Sequence, residues 1–146
     1  MTRLTQRYPF SASHRLHATQ LSEEENCRVF GKCNNPHGHG HNYFLEVSVS
    51  GEADPVTGLL LQRDQFDSWV QKEILARLSY RNLNEEMEEF QTLVPTTENL
   101  AAVVTGALAR GWADSLPNAT KLRFDRVRIY ETRNNLFEME AHEIQQ

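Results

Sequence analysis

Histidines with regular spacing give the clearest chemical signal in this 146-residue chain. His39 and His41 lie in an alternating segment, where residues two apart point the same way with Cα atoms roughly 6.6 Å apart. Two such imidazoles can meet at one ion, because zinc–nitrogen bonds are about 2.0–2.1 Å long. His37 lies two residues further back, so all three cannot easily share one ion. We therefore expect a third ligand from another element, and His14, at the end of the first alternating segment, is the best-placed candidate.

A site with three histidines and an open position is typical of a catalytic or ligand-presenting zinc rather than a closed structural one. Gly38 and Gly40 keep the space between the imidazoles free of bulk. The alternative interpretation of residues 37–41 is a solvated loop with incidental histidines. We interpret His17 and His142 as surface residues. The sequence thus predicts zinc bound by His14, His39 and His41.

A thiol and several cations lie close to these histidines. Cys33 lies six residues before His39, and a nearby cation lowers the pKa of a thiol, which favours the nucleophilic or basic thiolate. Most free cysteines are instead small buried hydrophobic residues, and nothing indicates an active role for Cys27. Each basic residue around the thiol is by itself typical of a solvated surface charge. Together they could meet a phosphorylated substrate: Arg15, Arg28 and Lys32.

Glu131 follows an apolar strand directly before a turn. A carboxylate in that position can accept two hydrogen bonds from a planar amidine-like edge, such as the 2-amino group and ring N–H of a pterin. The alternative is an ordinary acidic residue at a strand end. Thr96 and Thr97 are expected first of all as helix caps.

Hydrophobic periodicity indicates the elements that must position these side chains. Alternation predicts strands over residues 4–14, 39–50, 122–131 and 136–140. Apolar residues every four positions predict a first helix with Asp64 as its cap, and a second helix runs from Thr96–Thr97 to a stop at Gly111. We expect polar, irregular connections over residues 15–37 and 79–95.

This order, ββααββ, predicts an α+β fold with an antiparallel four-stranded sheet and two helices on one face. The other face must find cover elsewhere, so we expect oligomerisation. The length fits a single domain, residues 1–146.

Bulk composition excludes several classes of protein. Hydrophobic residues make up 39% and charged residues 24%, as in ordinary globular proteins. The net charge of -5 argues against a nucleic-acid partner. We expect no membrane association, since no apolar run approaches roughly 20 residues, and no secretory signal. Two cysteines do not make a disulfide framework, so a cytoplasmic protein is expected.

Several segments, in order along nearly the whole chain, closely resemble the 6-pyruvoyltetrahydropterin synthase family. The two main ones are Phe10–Leu16 and Phe30–Tyr43, which contain the three histidines and the thiol. Shorter matches are Gly51–Glu52, Asp54–Pro55, Thr57–Gly58, Asn82–Asn84, Thr96–Asn99, Tyr130–Thr132 and Asn134–Asn135.

The resemblance implies the tunnelling fold, whose subunits form trimers with sheets closed into a barrel, two trimers making a homo-hexamer. It implies zinc at His14, His39 and His41, a pterin anchored by Glu131 and by the backbone near Thr96 and Thr97, and proton transfer by Cys33. The implied reaction is loss of triphosphate from 7,8-dihydroneopterin triphosphate, a lyase step of tetrahydrobiopterin biosynthesis that needs no organic cofactor. Zinc would act as a Lewis acid.

The chain departs from the family where an Asp-His pair is expected, since Ser79 and Tyr80 stand there instead. A general base oriented by a carboxylate is therefore missing. Tyr80 could serve as a weak proton donor, and His37 could stand in from the loop. A second departure is a longer loop over residues 112–120.

Three alternatives stay open beside the lyase. The first is 6-carboxytetrahydropterin synthase, on the route to queuosine, although the spacing of Cys33 and His39 favours the pyruvoyl type. The second is a zinc- and pterin-binding relative that has lost the lyase step, as the Ser79–Tyr80 replacement suggests. The third is an unrelated zinc hydrolase, which would need a carboxylate base that the motifs do not offer.

Overall fold

A sheet of five strands forms the centre of the computed structural model, which describes residues 1–144. The strands are Thr2–His14 (β1), His39–Gly51 (β2), Arg81–Asn82 (β3), Leu122–Thr132 (β4) and Asn135–Glu140 (β5). The helices are Glu23–Phe30 (α1), Arg63–Val70 (α2), Ala76–Leu78 (α3), Leu83–Glu86 (α4) and Thr97–Ser115 (α5).

The strand order is β3-β1-β2-β4-β5, and all pairs are antiparallel except β3 with β1. The α+β class is confirmed, and the four predicted strands are present. The prediction of a four-stranded, purely antiparallel sheet is wrong, because β3 adds a parallel pairing of Ala12 with Arg81. The backbone N–H of Tyr80 donates to the carbonyl of Ser11 at 2.6 Å, which leads the chain into this pairing. Two residues are too few for an alternating pattern to show.

One face of the sheet forms the core, because its inward residues are apolar at every second position. On β2 these residues are Tyr43, Leu45, Val47 and Val49, each at most 1% exposed. Helices α2 and α5 cover this face, as predicted, and Trp69 on α2 donates its ring N–H to the carbonyl of Leu108 on α5. Burying a large apolar side chain contributes about 1.5–3 kcal/mol, so this layer is a main source of stability.

The first helical segment begins two residues earlier than predicted. Gln62 occupies the N-cap position and no side chain caps α2, so the prediction that Asp64 caps it is wrong. A turn of π-helix, Gln71–Leu75, joins α2 to α3. The predicted apolar stripe is nevertheless fully buried across all three pieces: Phe66, Val70, Ile74 and Leu78.

Helix α5 begins where the sequence predicts, with the Thr96 hydroxyl accepting from the backbone N–H of Asn99. It does not stop at Gly111 but continues to Ser115. A Cβ on Gly111 would overlap the carboxylate of Glu73, so this glycine permits close packing instead of ending the helix. The first part of the predicted loop 112–120 is therefore helical.

The two connections predicted as irregular contain short elements. Residues 15–37 include α1 and a turn of 3-10 helix, Gly31–Asn34. Ser22 and Glu25 form a capping box at the start of α1, a signal that can be recognised in the sequence. Residues 79–95 include β3, α4 and the 3-10 turn Glu88–Gln91. No helix within residues 1–144 combines the length and apolarity needed to cross a membrane.

Candidate metal and ligand site

Three histidines converge where β1 ends and β2 begins. The strand register pairs His14 with His39, and His41 follows two residues later on β2. The Nε2 atom of His39 lies 3.1 Å from Nε2 of His14 and 3.2 Å from Nε2 of His41. With the Cys33 thiol they form a group whose potential ligand atoms all lie within 4.8 Å of one another. The structure thus brings together the three predicted zinc ligands and the predicted thiol; His37 is not in the group.

The orientation of His14 is fixed from the other side of the ring. Its Nδ1 lies 3.0 Å from the carbonyl oxygen of Pro95, which can only accept a hydrogen bond. Nδ1 therefore carries the proton of the neutral ring, and the lone pair of Nε2 faces the other histidines. A carbonyl that orients a histidine in this way is typical of metal ligands.

Burial keeps two of these imidazoles neutral. His14 is 1% exposed, and burial lowers its pKa to about 4; the bond to Pro95 opposes this shift, and His41 and His39 reinforce it. Burial also lowers the pKa of His41, against the opposing charge of Glu131. Neutral imidazole is the form that binds metal ions, so the ligands need not lose protons at neutral pH.

This donor set fits zinc. Two ligands bonded at 2.0–2.1 Å to a tetrahedral zinc lie about 3.3 Å apart, close to the two nitrogen–nitrogen distances found here. The thiol lies beside them, and imidazole and thiolate are both ordinary zinc ligands. The site can therefore take a divalent metal without rearrangement of the histidines.

Cys33 lies on the 3-10 turn, which is tied to the end of β1 by the bond from the Leu16 N–H to the Cys33 carbonyl at 2.7 Å. Its side chain is half-buried. Burial raises the pKa of the thiol, and the charge of Glu131 adds to the effect. In the metal-free chain the thiol is therefore protonated, and a cation among the histidines would act in the opposite direction.

Glu131 reaches the same site from β4, with its carboxylate oxygen Oε1 3.5 Å from Nε2 of His41. The pairing of Phe44 with Tyr130 places Glu131 beside Tyr43 on the neighbouring strand. The Tyr43 hydroxyl is buried without a hydrogen-bond partner among residues 1–144. Burial, Glu131 and Cys33 all raise its pKa. Tyr43 is not among the site residues predicted from the sequence, although its place two residues after His41 on an alternating strand could have indicated a position in the site.

Thr96 and Thr97 lie next to the histidine site, because they directly follow Pro95, whose carbonyl contacts His14. Thr96 caps α5, and the buried Thr97 hydroxyl has no hydrogen-bond partner in the described part of the chain. Tyr80 is elsewhere: it is 89% exposed, has a positive φ of 60°, and borders a groove that His41 also lines. The structure places Tyr80 outside the histidine–cysteine group, and its role as proton donor stays a prediction.

Known proteins similar in sequence to this chain belong to one family. A model of the family described as 6-pyruvoyl tetrahydropterin synthase matches residues 3–142. The 6-pyruvoyl tetrahydrobiopterin synthase of Poecilia reticulata is 42% identical over 133 residues, covering 91% of this chain and 86% of that protein. The human protein of the same name is 41% identical, with 91% and 87% covered.

Solved structures share the fold of this chain. The 6-pyruvoyl tetrahydropterin synthase of Caenorhabditis elegans superposes with a TM-score of 0.84 at 35% identity, covering 95% of this chain and 94% of that one. An uncharacterised protein from Wolinella succinogenes, 17% identical, shares the fold with a TM-score of 0.67. This chain belongs to the 6-pyruvoyl tetrahydropterin synthase family.

Proposed function

We propose that the protein is a zinc-dependent pterin lyase that eliminates triphosphate from 7,8-dihydroneopterin triphosphate and gives 6-pyruvoyltetrahydropterin. The observation that carries this proposal is the convergence of three histidines and Cys33 at one point, with Glu131 beside them. The names of the relatives, 6-pyruvoyl tetrahydrobiopterin synthases, support the reaction type.

The histidines would hold the metal, each through Nε2: His14, His39 and His41. When bound, zinc supplies Lewis acidity to the side-chain oxygens of the substrate, which makes the attached C–H bonds more acidic. The carbonyl of Pro95 keeps His14 in the tautomer that this role requires.

The remaining residues bind the pterin and move protons. Glu131 accepts hydrogen bonds from the amidine edge of the pterin, and the unpartnered Thr97 hydroxyl supplies a further polar contact. Cys33 takes a proton from the side chain and returns it later. Triphosphate leaves with the electron pair of its C–O bond. The hydrogens that the side-chain carbons lose are gained by the pterin ring and the terminal carbon, so no external reductant is needed.

We further propose that the protein assembles as trimers paired into a homo-hexamer. The sheet is open in one chain, with β3 and β5 as its edges. Its uncovered face carries Phe44, 38% exposed, and Leu136, 40% exposed. Open edges and apolar side chains are features that a second copy can cover. Light scattering of the purified protein tests this, since a monomer in solution would contradict it.

Turnover of 7,8-dihydroneopterin triphosphate by the purified, zinc-loaded protein tests the proposed reaction. We expect free triphosphate and a pterin that keeps all three side-chain carbons. Release of acetaldehyde would instead indicate the 6-carboxytetrahydropterin reaction. Tight pterin binding without turnover would contradict both enzymatic assignments and would point to the Ser79–Tyr80 replacement as the defect.

A further inference from the structure

A cleft of about 610 Å³ opens beside the histidine site, with His39 in its wall. Arg15, His17 and Lys32 line it, and Glu23 is the one acidic residue of its lining. Arg15 directly follows His14, and Lys32 directly precedes Cys33. The chain therefore places positive charge immediately next to two residues of the proposed site, on the side where the cleft opens.

One buried residue, Asn34, holds two of these side chains in place. It is 6% exposed, and its backbone carbonyl accepts a hydrogen bond from Nε of Arg15 at 3.2 Å. Its side-chain nitrogen donates to the carbonyl of Leu16 at 2.7 Å and contacts Nδ1 of His17 at 3.1 Å. Because an amide nitrogen can only donate, Nδ1 of His17 accepts, and the neutral ring carries its proton on Nε2. His17 is thus held as a hydrogen-bond donor, and the guanidinium of Arg15 is anchored at one nitrogen.

The two cations lack acidic partners within the chain. Neither Arg15 nor Lys32 forms an ion pair with any of residues 1–144. This is notable in a chain whose net charge is -5 and whose Arg3, Arg77 and Arg123 are all paired with carboxylates. The anchored Arg15 and the exposed Lys32 thus both have a positive charge free for an anionic ligand.

We propose that this cleft is a binding subsite for an oligophosphate, with Arg15, Lys32 and His17 as its donors. The identification of that group as the triphosphate of the substrate rests on the proposed function. Arginine binds phosphate through its planar fork and lysine as a point charge, so the two together suit a chain of phosphates. Seated here, the leaving group lies at the His39 side of the site, and the cations stabilise the negative charge that it gains as the C–O bond breaks.

Calorimetric titration of inorganic triphosphate into the metal-free protein tests the subsite, because chelation by zinc cannot contribute. Lys32→Gln and Arg15→Gln remove one positive charge each, and Lys32 is exposed, so its replacement leaves the fold intact. Arg28 is expected from the sequence to join Arg15 and Lys32 as a possible phosphate contact, but it is exposed on α1 and does not line the cleft. Arg28→Gln is therefore the matched control. We expect each cleft variant to bind triphosphate about 10-fold or more weakly than the wild type, and Arg28→Gln to bind normally.

Absence of triphosphate binding by the wild type would overturn the proposed subsite. An equal loss of triphosphate affinity in Arg28→Gln and Lys32→Gln would overturn it as well. Titration with unphosphorylated neopterin separates this inference from the proposed function. If Lys32→Gln weakens triphosphate binding and leaves neopterin binding unchanged, the subsite is supported even where turnover fails. If turnover is normal and neither cleft variant alters triphosphate affinity or the KM of the substrate, the lyase stands and the subsite is wrong.

Discussion

The Nδ1 atom of His14 lies 3.0 Å from the carbonyl oxygen of Pro95, which joins the end of β1 to the residues that open α5. This contact fixes the tautomer of a buried imidazole and sets the Thr96–Thr97 segment next to the histidine site. One hydrogen bond thus relates the proposed metal site to the proposed pterin contacts.

The buried His14 makes the stability of the metal-free protein depend on pH. The pKa of His14 is about 4 in the folded chain, below the ordinary 6.5 of the unfolded chain. Between these values the unfolded chain binds a proton that the folded chain does not, so stability is complete above pH 6.5 and falls as the pH drops towards 4. We expect a loss of up to about 3 kcal/mol from this group, measured by urea unfolding in the presence of a chelator. His14→Gln should remove this part of the pH dependence, and an unchanged profile would contradict the assignment.

Loss of the hydroxyl should change the free energy of unfolding in opposite directions at Tyr43 and at Tyr8. The Tyr43 hydroxyl is buried without a partner among the described residues, so Tyr43→Phe removes an uncompensated polar group. We expect the free protein to gain about 1 kcal/mol of unfolding free energy. The Tyr8 hydroxyl donates to Asp67 at 2.5 Å, so Tyr8→Phe should destabilise by a similar amount. Denaturant unfolding measures both, and a loss of stability in Tyr43→Phe would show that its hydroxyl has a partner in solution.

The two cysteines provide a matched pair for the proton-transfer role. Cys33 lies within the histidine group, whereas Cys27 is exposed on α1. We expect Cys33→Ala to lower kcat by roughly 10²–10⁴-fold, the usual range for loss of a general acid–base group, with zinc retained by the histidines. Cys27 lines the neighbouring cleft and its thiol donates to Oδ1 of Asn34, but it lies outside the histidine group. We therefore expect Cys27→Ala to keep its kcat and to change at most the KM. Equal kcat values in the two variants would mean that the proton moves through another group.

Periodicity predicted the layers of the fold because β1, β2, β4 and α5 each bury one regular face. The same patterns gave the convergence of His14, His39 and His41, since strand geometry alone restricts which histidines can meet. Short elements were missed, as β3 shows, because two residues carry no period.

What the sequence could not provide are contacts between residues distant along the chain. The bond between His14 and Pro95 spans 81 residues. The packing of Glu73 against Gly111 is a second such contact, and it shows that this glycine permits close packing and does not end the helix. The unpartnered hydroxyl of Tyr43 is also a tertiary feature, because only the packing around it determines whether a partner is present.

Metal content tests the central claim most directly. We expect one zinc per chain by mass spectrometry in the wild type purified with zinc and then desalted. His39→Ala should lose the zinc, because the Nε2 atom of His39 lies within 3.2 Å of both of the other histidines. The control His37→Ala, which changes a neighbouring histidine outside the group, should keep it. Zinc retained in His39→Ala, or lost equally from His37→Ala, would contradict the proposed site.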